Sequence, residues 1–290
     1  MRYMERFKGE LITFPTKDSL KTCGFLMDAS GKDVLIFIHG MGGHFYKDGF
    51  MHGAQELISQ GISFFSFNTR GAEIVKDFKD LDGMHHTLGT AFENFEKSTE
   101  DISASLDLLE DIGYSRFHLL GHSTGCQKIL YYIHITGDSR IKSLIHLSPA
   151  EDYEIWKNLL GDDFEHFVDI AREMVERGEG DKLMIPLYEK TGDLWSARRF
   201  LSFASRETPE GRAFNYASLD MFSSVTLPTA VFFGDADPYL IHPPEYYAEK
   251  LKSAYGGEMI EVHIIENGDH SFHGLEEEIF HRIVDFIGRI

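Results

Sequence analysis

Residues 117–125 read Phe-His-Leu-Leu-Gly-His-Ser-Thr-Gly. A short apolar run passes directly into Gly121-x-Ser123-x-Gly125, the nucleophile-elbow pattern. A serine held on a tight strand-to-helix turn crowds its surroundings, so the positions two before and two after it call for residues without a Cβ. The turn lifts the Ser123 hydroxyl clear of the strand and points the free N–H groups of the next helix at it. Five residues alone are a weak signal, but the flanks agree. A strand is predicted over 116–120, and Gln127-Lys128-Ile129-Leu130-Tyr131-Tyr132-Ile133 continues as a buried helix.

Working outward, Val34-Leu35-Ile36-Phe37-Ile38 is another all-apolar run ending in His39-Gly40, as expected of a strand buried on both faces. Residues 10–14 and 20–27 flank the turn Pro15-Thr16-Lys17-Asp18 as an opening hairpin. A helix is predicted at 49–60, a strand at 62–67, then a polar loop and a helix at 98–112. Further strands follow at 143–148, 229–233 and 259–265, with helices at 243–255 and 275–288. Strands alternating with helices predict a mostly parallel, doubly wound α/β sheet. The rhythm breaks between Pro149 and Thr229. The expected organisation is therefore a core of residues 1–149 and 223–290 with a helical cap inserted at 150–222, lying over the carboxyl edge of the sheet where such sheets bind ligands.

Composition narrows the function classes. The 290 residues carry a formal charge of −19, which opposes binding to nucleic acid or to an anionic membrane. No stretch approaches the roughly 18 consecutive apolar residues of a membrane span. The N-terminal residues 1–10 lack the apolar core of a leader peptide. Two cysteines, Cys23 and Cys126, are too few for a disulfide framework and suit a reducing compartment. The expectation is a cytoplasmic protein acting on a small molecule.

A nucleophilic serine needs a base, and the base needs a carboxylate to orient it. Both should follow Ser123 at the ends of later strands. Strand 229–233 runs into Gly234-Asp235-Ala236-Asp237-Pro238, and strand 259–265 into Glu266-Asn267-Gly268-Asp269-His270-Ser271-Phe272. His270 is the candidate base, with His273 in reserve; His122 is expected to pack or bond locally. A metal site from His39, His44 and His52 lacks any supporting carboxylate or cysteine spacing.

With Ser123, Asp237, His270 and the loop His39-Gly40-Met41-Gly42-Gly43 in this order, the chain resembles the α/β-hydrolase superfamily over about residues 10–288. The stretches Thr87–Glu96 and Ser196–Ser202 look similar to a branch of it that includes fungal siderophore esterases. The resemblance implies an α/β-hydrolase fold and a Ser123-His270-Asp237 triad, since the family pattern places the acid three positions after the glycine and so on Asp237 over Asp235. It also implies an oxyanion hole from the N–H groups of Met41 and Thr124, and no metal or organic cofactor. The expected activity is cleavage of a carboxylic ester of a small apolar or aromatic molecule. A C–C bond hydrolase, a peptidase and an acyltransferase share the triad, and a binding protein on the same scaffold is the rival from another class. Arg198 and Arg199 are expected to pair with surface acids, or else to hold a carboxylate if they face the pocket.

Overall fold

The computed structural model describes residues 6–290; residues 1–5, part of the stretch read above for a leader, lie outside them. In chain order the elements are β1 (Glu10–Pro15), β2 (Lys21–Met27), β3 (Asp33–Ile38), α1 (Asp48–Ser59), β4 (Ser63–Phe67), β5 (Lys76–Lys79), β6 (His85–Leu88), α2 (Ser98–Asp111), β7 (Arg116–His122), α3 (Thr124–Thr136) and β8 (Ile141–Leu147). Six helices follow: α4 (Asp152–Leu160), α5 (Phe164–Glu176), α6 (Ile185–Thr191), α7 (Ala197–Phe203), α8 (Pro209–Ala213) and α9 (Asp220–Ser223). The chain closes with β9 (Thr229–Gly234), α10 (Pro244–Ala254), β10 (Ile260–Ile265) and α11 (Glu276–Ile287).

Eight strands form one sheet in the order β1-β2-β4-β3-β7-β8-β9-β10. The first two pairings, β1 with β2 and β2 with β4, are antiparallel, and the others are parallel. The strand order reverses direction between β3 and β7, which places a topological switch point, the usual ligand crevice of such sheets, beside Ser123. The apolar runs read as strands buried on both faces, and their side chains divide accordingly. Val34, Ile36 and Ile38 of β3 join a cluster with residues of α2, α3 and α10, whereas Leu35 and Phe37 join one with residues of α1 and α11. Each such aliphatic or aromatic side chain taken from water contributes roughly 1.5–3 kcal/mol.

One element differs from the expectation. The stretch after β4, read as polar loop, contains the hairpin of β5 and β6. Lys-Asp-Phe-Lys offers a single apolar residue to an alternation pattern, and only Phe78 of that strand is buried, against Leu20 and Ala72. The helical insertion after β8 packs as two parts. Residues between Trp156 and Ala204 make an apolar cluster of their own, while Ala213, Phe214, Tyr216, Leu219, Met221 and Phe222 join the sheet's cluster against α3.

Candidate active site

The seven residues of β7 are almost wholly buried, and the chain turns at Ser123 with φ 54° and ψ −128°, a conformation that strains a residue with a side chain. Ser123 N–H donates to Leu147 O (2.9 Å), and Cys126 N–H donates to Ser123 O (2.8 Å), fixing the turn between β8 and the first turn of α3. The two flanking glycines are needed on steric grounds. A Cβ on Gly121 would stand 2.5 Å from the backbone of Gly125, and one on Gly125 would stand 2.0 Å from Ile38 O.

His270 and Asp237 reach this point from the loops after β10 and β9. The Asp237 carboxylate is almost fully buried and accepts from His270 Nδ1 at 2.8 Å, while its other oxygen accepts from Tyr239 N–H at 2.9 Å. A carboxylate can only accept, so Nδ1 of the neutral imidazole carries the proton and Nε2 is left as the basic nitrogen. Ser123 and His270 line one cleft of about 490 Å³. Asp235 is engaged elsewhere, accepting Asn267 N–H at 2.7 Å and so tying the two loops together. His273 is exposed and pairs with Asp269. Buried His122 donates Nε2–H to His270 O (2.8 Å), and burial, then the Lys47 ammonium, holds its pKa well below the ordinary value. It supports the His270 loop rather than competing as a base.

The loop after β3 lies against Ser123. A Cβ on Gly40 would come 2.8 Å from the Ser123 Cβ, so only glycine fits. Gly43 N–H closes a tight turn onto Gly40 O (3.1 Å) with Gly42 at φ 64°, the type II pattern that puts glycine third. Met41, the second residue of that turn, and Thr124, the first of α3, flank Ser123. Among the described residues neither of their N–H groups donates to a protein acceptor. The three histidines considered for a metal are kept apart. His39 Nε2 accepts from Thr69 N–H (3.1 Å) while its Nδ1–H donates to Gly40 O (2.9 Å), and burial lowers its pKa to about 3. His44 stacks on Tyr46, and His52 pairs with Glu277. Among the described residues no group of His, Cys, Asp and Glu is placed to hold a metal ion.

Charged residues that composition alone assigns to the surface lie beneath this site. Lys128 of α3 pairs with Glu93 at 2.6 Å, both fully buried, and Lys128 also donates to Thr69 Oγ1 at 3.2 Å. Arg199 of α7, expected to pair with surface acids, is 0% exposed. It binds the Glu210 carboxylate through both terminal nitrogens, one at 2.8 Å, and stands 3.8 Å from Glu93. Arg198 does pair on the surface, with Asp181. Burial raises the Glu93 carboxyl, but Lys128 and Arg199 outweigh it and hold Glu93 below its ordinary range. The available signal was Lys128 itself, a cation in the middle of a helix whose neighbours Cys126, Gln127, Ile129 and Leu130 read as buried.

Asp152 lines the cleft at the start of α4 and accepts from Gln127 Nε2 at 2.9 Å. Burial, and then the Glu210 carboxylate, pushes its pKa up to about 7 from 3.8. The unfolded chain ionises this group first, so its contribution to stability falls as pH rises from about 4 to about 7. Asp152→Asn removes that slope. Thermal melts should show the variant above wild type at pH 8, with the gap closing toward pH 4; a gap independent of pH would refute the assignment.

Residues 85–235 match a family model described as "Protein of unknown function (DUF1749)". The chain belongs to this family. No curated protein matches it. Among solved structures it is similar to the esterase Pf2001 of Pyrococcus furiosus, at 15% identity and TM-score 0.64, covering 98% of this chain and 91% of that one. It is similar also to Est1E of Butyrivibrio proteoclasticus with ferulic acid bound, at 17% identity and TM-score 0.69, covering 96% and 98%. A third is the mouse alpha/beta hydrolase domain-containing protein 10, at 17% identity and TM-score 0.66, covering 97% and 99%. With its mostly parallel eight-stranded sheet and flanking helices, this DUF1749 chain has the α/β-hydrolase fold.

Proposed function

We propose that this protein is a serine hydrolase that cleaves a carboxylic ester of a small apolar or aromatic molecule. The observation that carries the reading is the Asp237–His270 pair at 2.8 Å in the same cleft as the strained Ser123 turn. Ser123 Oγ attacks the acyl carbon as His270 Nε2 takes its proton, and Asp237 holds the tautomer and stabilises the imidazolium. The N–H groups of Met41 and Thr124 bind the oxygen that becomes anionic. His270 returns the proton to the departing alcohol oxygen, and water then releases the acyl group by the same steps in reverse order. No step calls for a metal or organic cofactor.

The cleft supports the substrate class. Its volume falls in the small-molecule range, and Met41, Ile74, Ile155, Trp156, Leu159 and Trp195 form apolar wall. Most of the other aromatics of the insertion, Phe164, Phe167, Phe200 and Phe203 among them, pack against one another instead. Asp193 in the lining, with the net charge of −19, disfavours an anionic substrate. We treat the helices from α4 to α7 as a cap that limits the cleft to small substrates. Among the described residues no helix is long and apolar enough to cross a membrane, and the free thiols of Cys23 and Cys126 suit a reducing, cytoplasmic setting.

A fluorophosphonate probe tests the reading. Wild type should label stoichiometrically and Ser123→Ala should not. Turnover of neutral aromatic and short acyl esters, without turnover of matched peptides or diketones, separates the esterase from a peptidase or C–C hydrolase. Transfer of the acyl group to an added alcohol in preference to water would mark an acyltransferase. Absence of labelling in folded wild-type protein would favour a binding protein on this scaffold.

A further inference from the structure

We propose that Thr90 is a positioning residue for the oxyanion loop, holding the turn that carries the Met41 N–H. The proposal rests on the hydrolase reading above and adds the group that sets one of its two oxyanion donors.

Thr90 is 1% exposed, and its polar groups together are bonded to three parts of the site. Its hydroxyl donates to Gly71 O at 2.8 Å, which leaves the oxygen lone pairs to accept from Gly42 N–H at 2.7 Å. Its N–H donates to Glu73 O (2.8 Å), and Glu73 N–H donates in turn to Gly43 O (2.8 Å). Its carbonyl accepts Arg199 Nε at 3.2 Å, and next to it Ala91 O accepts Ser196 N–H at 2.9 Å. One residue therefore joins the oxyanion loop, the loop after β4 and the base of α7.

The bond to Gly42 acts where the loop is least constrained by sterics. In a type II turn the central peptide, here Met41–Gly42, differs from its type I alternative by a flip of that peptide plane, and glycine at the third position tolerates both. Thr90 Oγ1 holds the Gly42 N–H in one of the two orientations, while His39 Nδ1–H holds Gly40 O on the other side of Met41. The bonds of His39 Nδ1–H and Gly43 N–H to Gly40 O hold the Gly40–Met41 peptide that carries the Met41 N–H. The Thr90 bond holds the next peptide plane, so the turn that places this N–H keeps its position beside Ser123. A preorganised donor of this kind adds nothing to binding of the ground state, so its loss lowers kcat.

Thr90 also lines the cleft, so a direct substrate contact is the competing explanation, and it predicts a change in KM. The experiment compares Thr90→Val, Thr90→Ala and Thr90→Ser with wild type on two aryl esters of different acyl size. Active sites are counted by fluorophosphonate titration and folding by thermal melts. The expected result is a fall in kcat of about 10–100-fold for the valine and alanine variants, a fraction of the ~10²–10³ that a whole donor is worth. The loss should be equal for both esters, with KM within about threefold, and Thr90→Ser should return to within about threefold of wild type. Unchanged kcat per titrated site in Thr90→Val and Thr90→Ala, a loss confined to KM, or a serine variant as slow as valine would each overturn the proposal. Should the valine variant not fold, the alanine and serine pair gives the same comparison. If folded wild type neither labels nor turns over ester, the hydrolase reading falls and takes this one with it; active wild type with indifferent Thr90 variants overturns this one alone.

Discussion

Ser123→Ala and His270→Ala are each expected to lower kcat on a neutral aryl ester by about 10⁴–10⁶-fold, with the double variant no slower than either alone. The reason is that the hydroxyl and the imidazole act as one unit: without the base the hydroxyl is a weak nucleophile, and without the hydroxyl the base has nothing to activate. Asp237→Asn should cost about 10⁴-fold, because an amide in its place reverses the proton preference of His270 Nδ1 and holds the wrong tautomer. At 1.36 kcal/mol per decade, that is about 5.5 kcal/mol of transition-state stabilisation. Asp235→Asn, which keeps an oxygen for the Asn267 N–H, should stay within about twofold of wild type. Activity lost in Asp235→Asn and kept in Asp237→Asn would assign the acid to the wrong residue, and a double variant much slower than Ser123→Ala would break the unit. The measurement is steady-state kinetics on protein whose folded fraction is matched by circular dichroism.

Arg199→Met is expected to be the most damaging change outside the triad, with a loss of about 3–5 kcal/mol in unfolding free energy. Among the described residues, removing the guanidinium leaves the Glu210 carboxylate buried with Ser202 Oγ as its hydrogen-bond partner and Glu93 with Lys128 as its ion-pair partner. A buried charge without compensation costs far more than the pair contributed when intact. For a chain of this size the melting temperature should drop on the order of 10 °C. Removing the orphaned acid as well should recover much of the loss, so Arg199→Met/Glu210→Leu should melt above Arg199→Met. Urea titrations of the three proteins give the free energies. A double variant less stable than the single one would show that the pair is not the source.

The legible parts of the chain were those whose physics is local. Val34–Ile38 and Phe117–Leu120 announce themselves because a strand covered on both faces needs an unbroken apolar run, and the elbow because two glycines must flank a crowded serine. Asp237 and His270 were readable because each lies in the loop after a late strand, β9 an unbroken buried run and β10 a mixed, half-buried edge strand, and the structure sets them in one hydrogen bond. Met41 and Thr124 lie beside Ser123 because the loop after β3 and the start of α3 fall where the sequence placed them. What stayed hidden depends on contacts between distant residues. Arg199 and Glu210 look like any charged pair on helical surfaces until α7 and α8 fold onto the core. The hairpin of β5 and β6 is held by one buried phenylalanine and by main-chain bonds that leave no mark on side-chain pattern. Thr90 carries no signal in a one-dimensional reading, because its importance lies in four partners, Gly42, Gly71, Glu73 and Arg199, from three separate segments.

The placement of the insertion bears on how the protein assembles. Leu144 of β8 and Thr229 of β9 are neighbours in the sheet, yet the entire helical insertion separates them in the chain. Bringing the ends of an unstructured segment that long together costs about 4 kcal/mol in chain entropy beyond a constant. The helices between Trp156 and Ala204 carry an apolar cluster of their own, and condensing it first shortens the effective tether before β9 docks. The strands waiting on that event, β9 and β10, are the two whose ends bear Asp237 and His270. Ser123 and its elbow thus belong to the half of the sheet that can form early, and Asp237 and His270 arrive with the last strands to join.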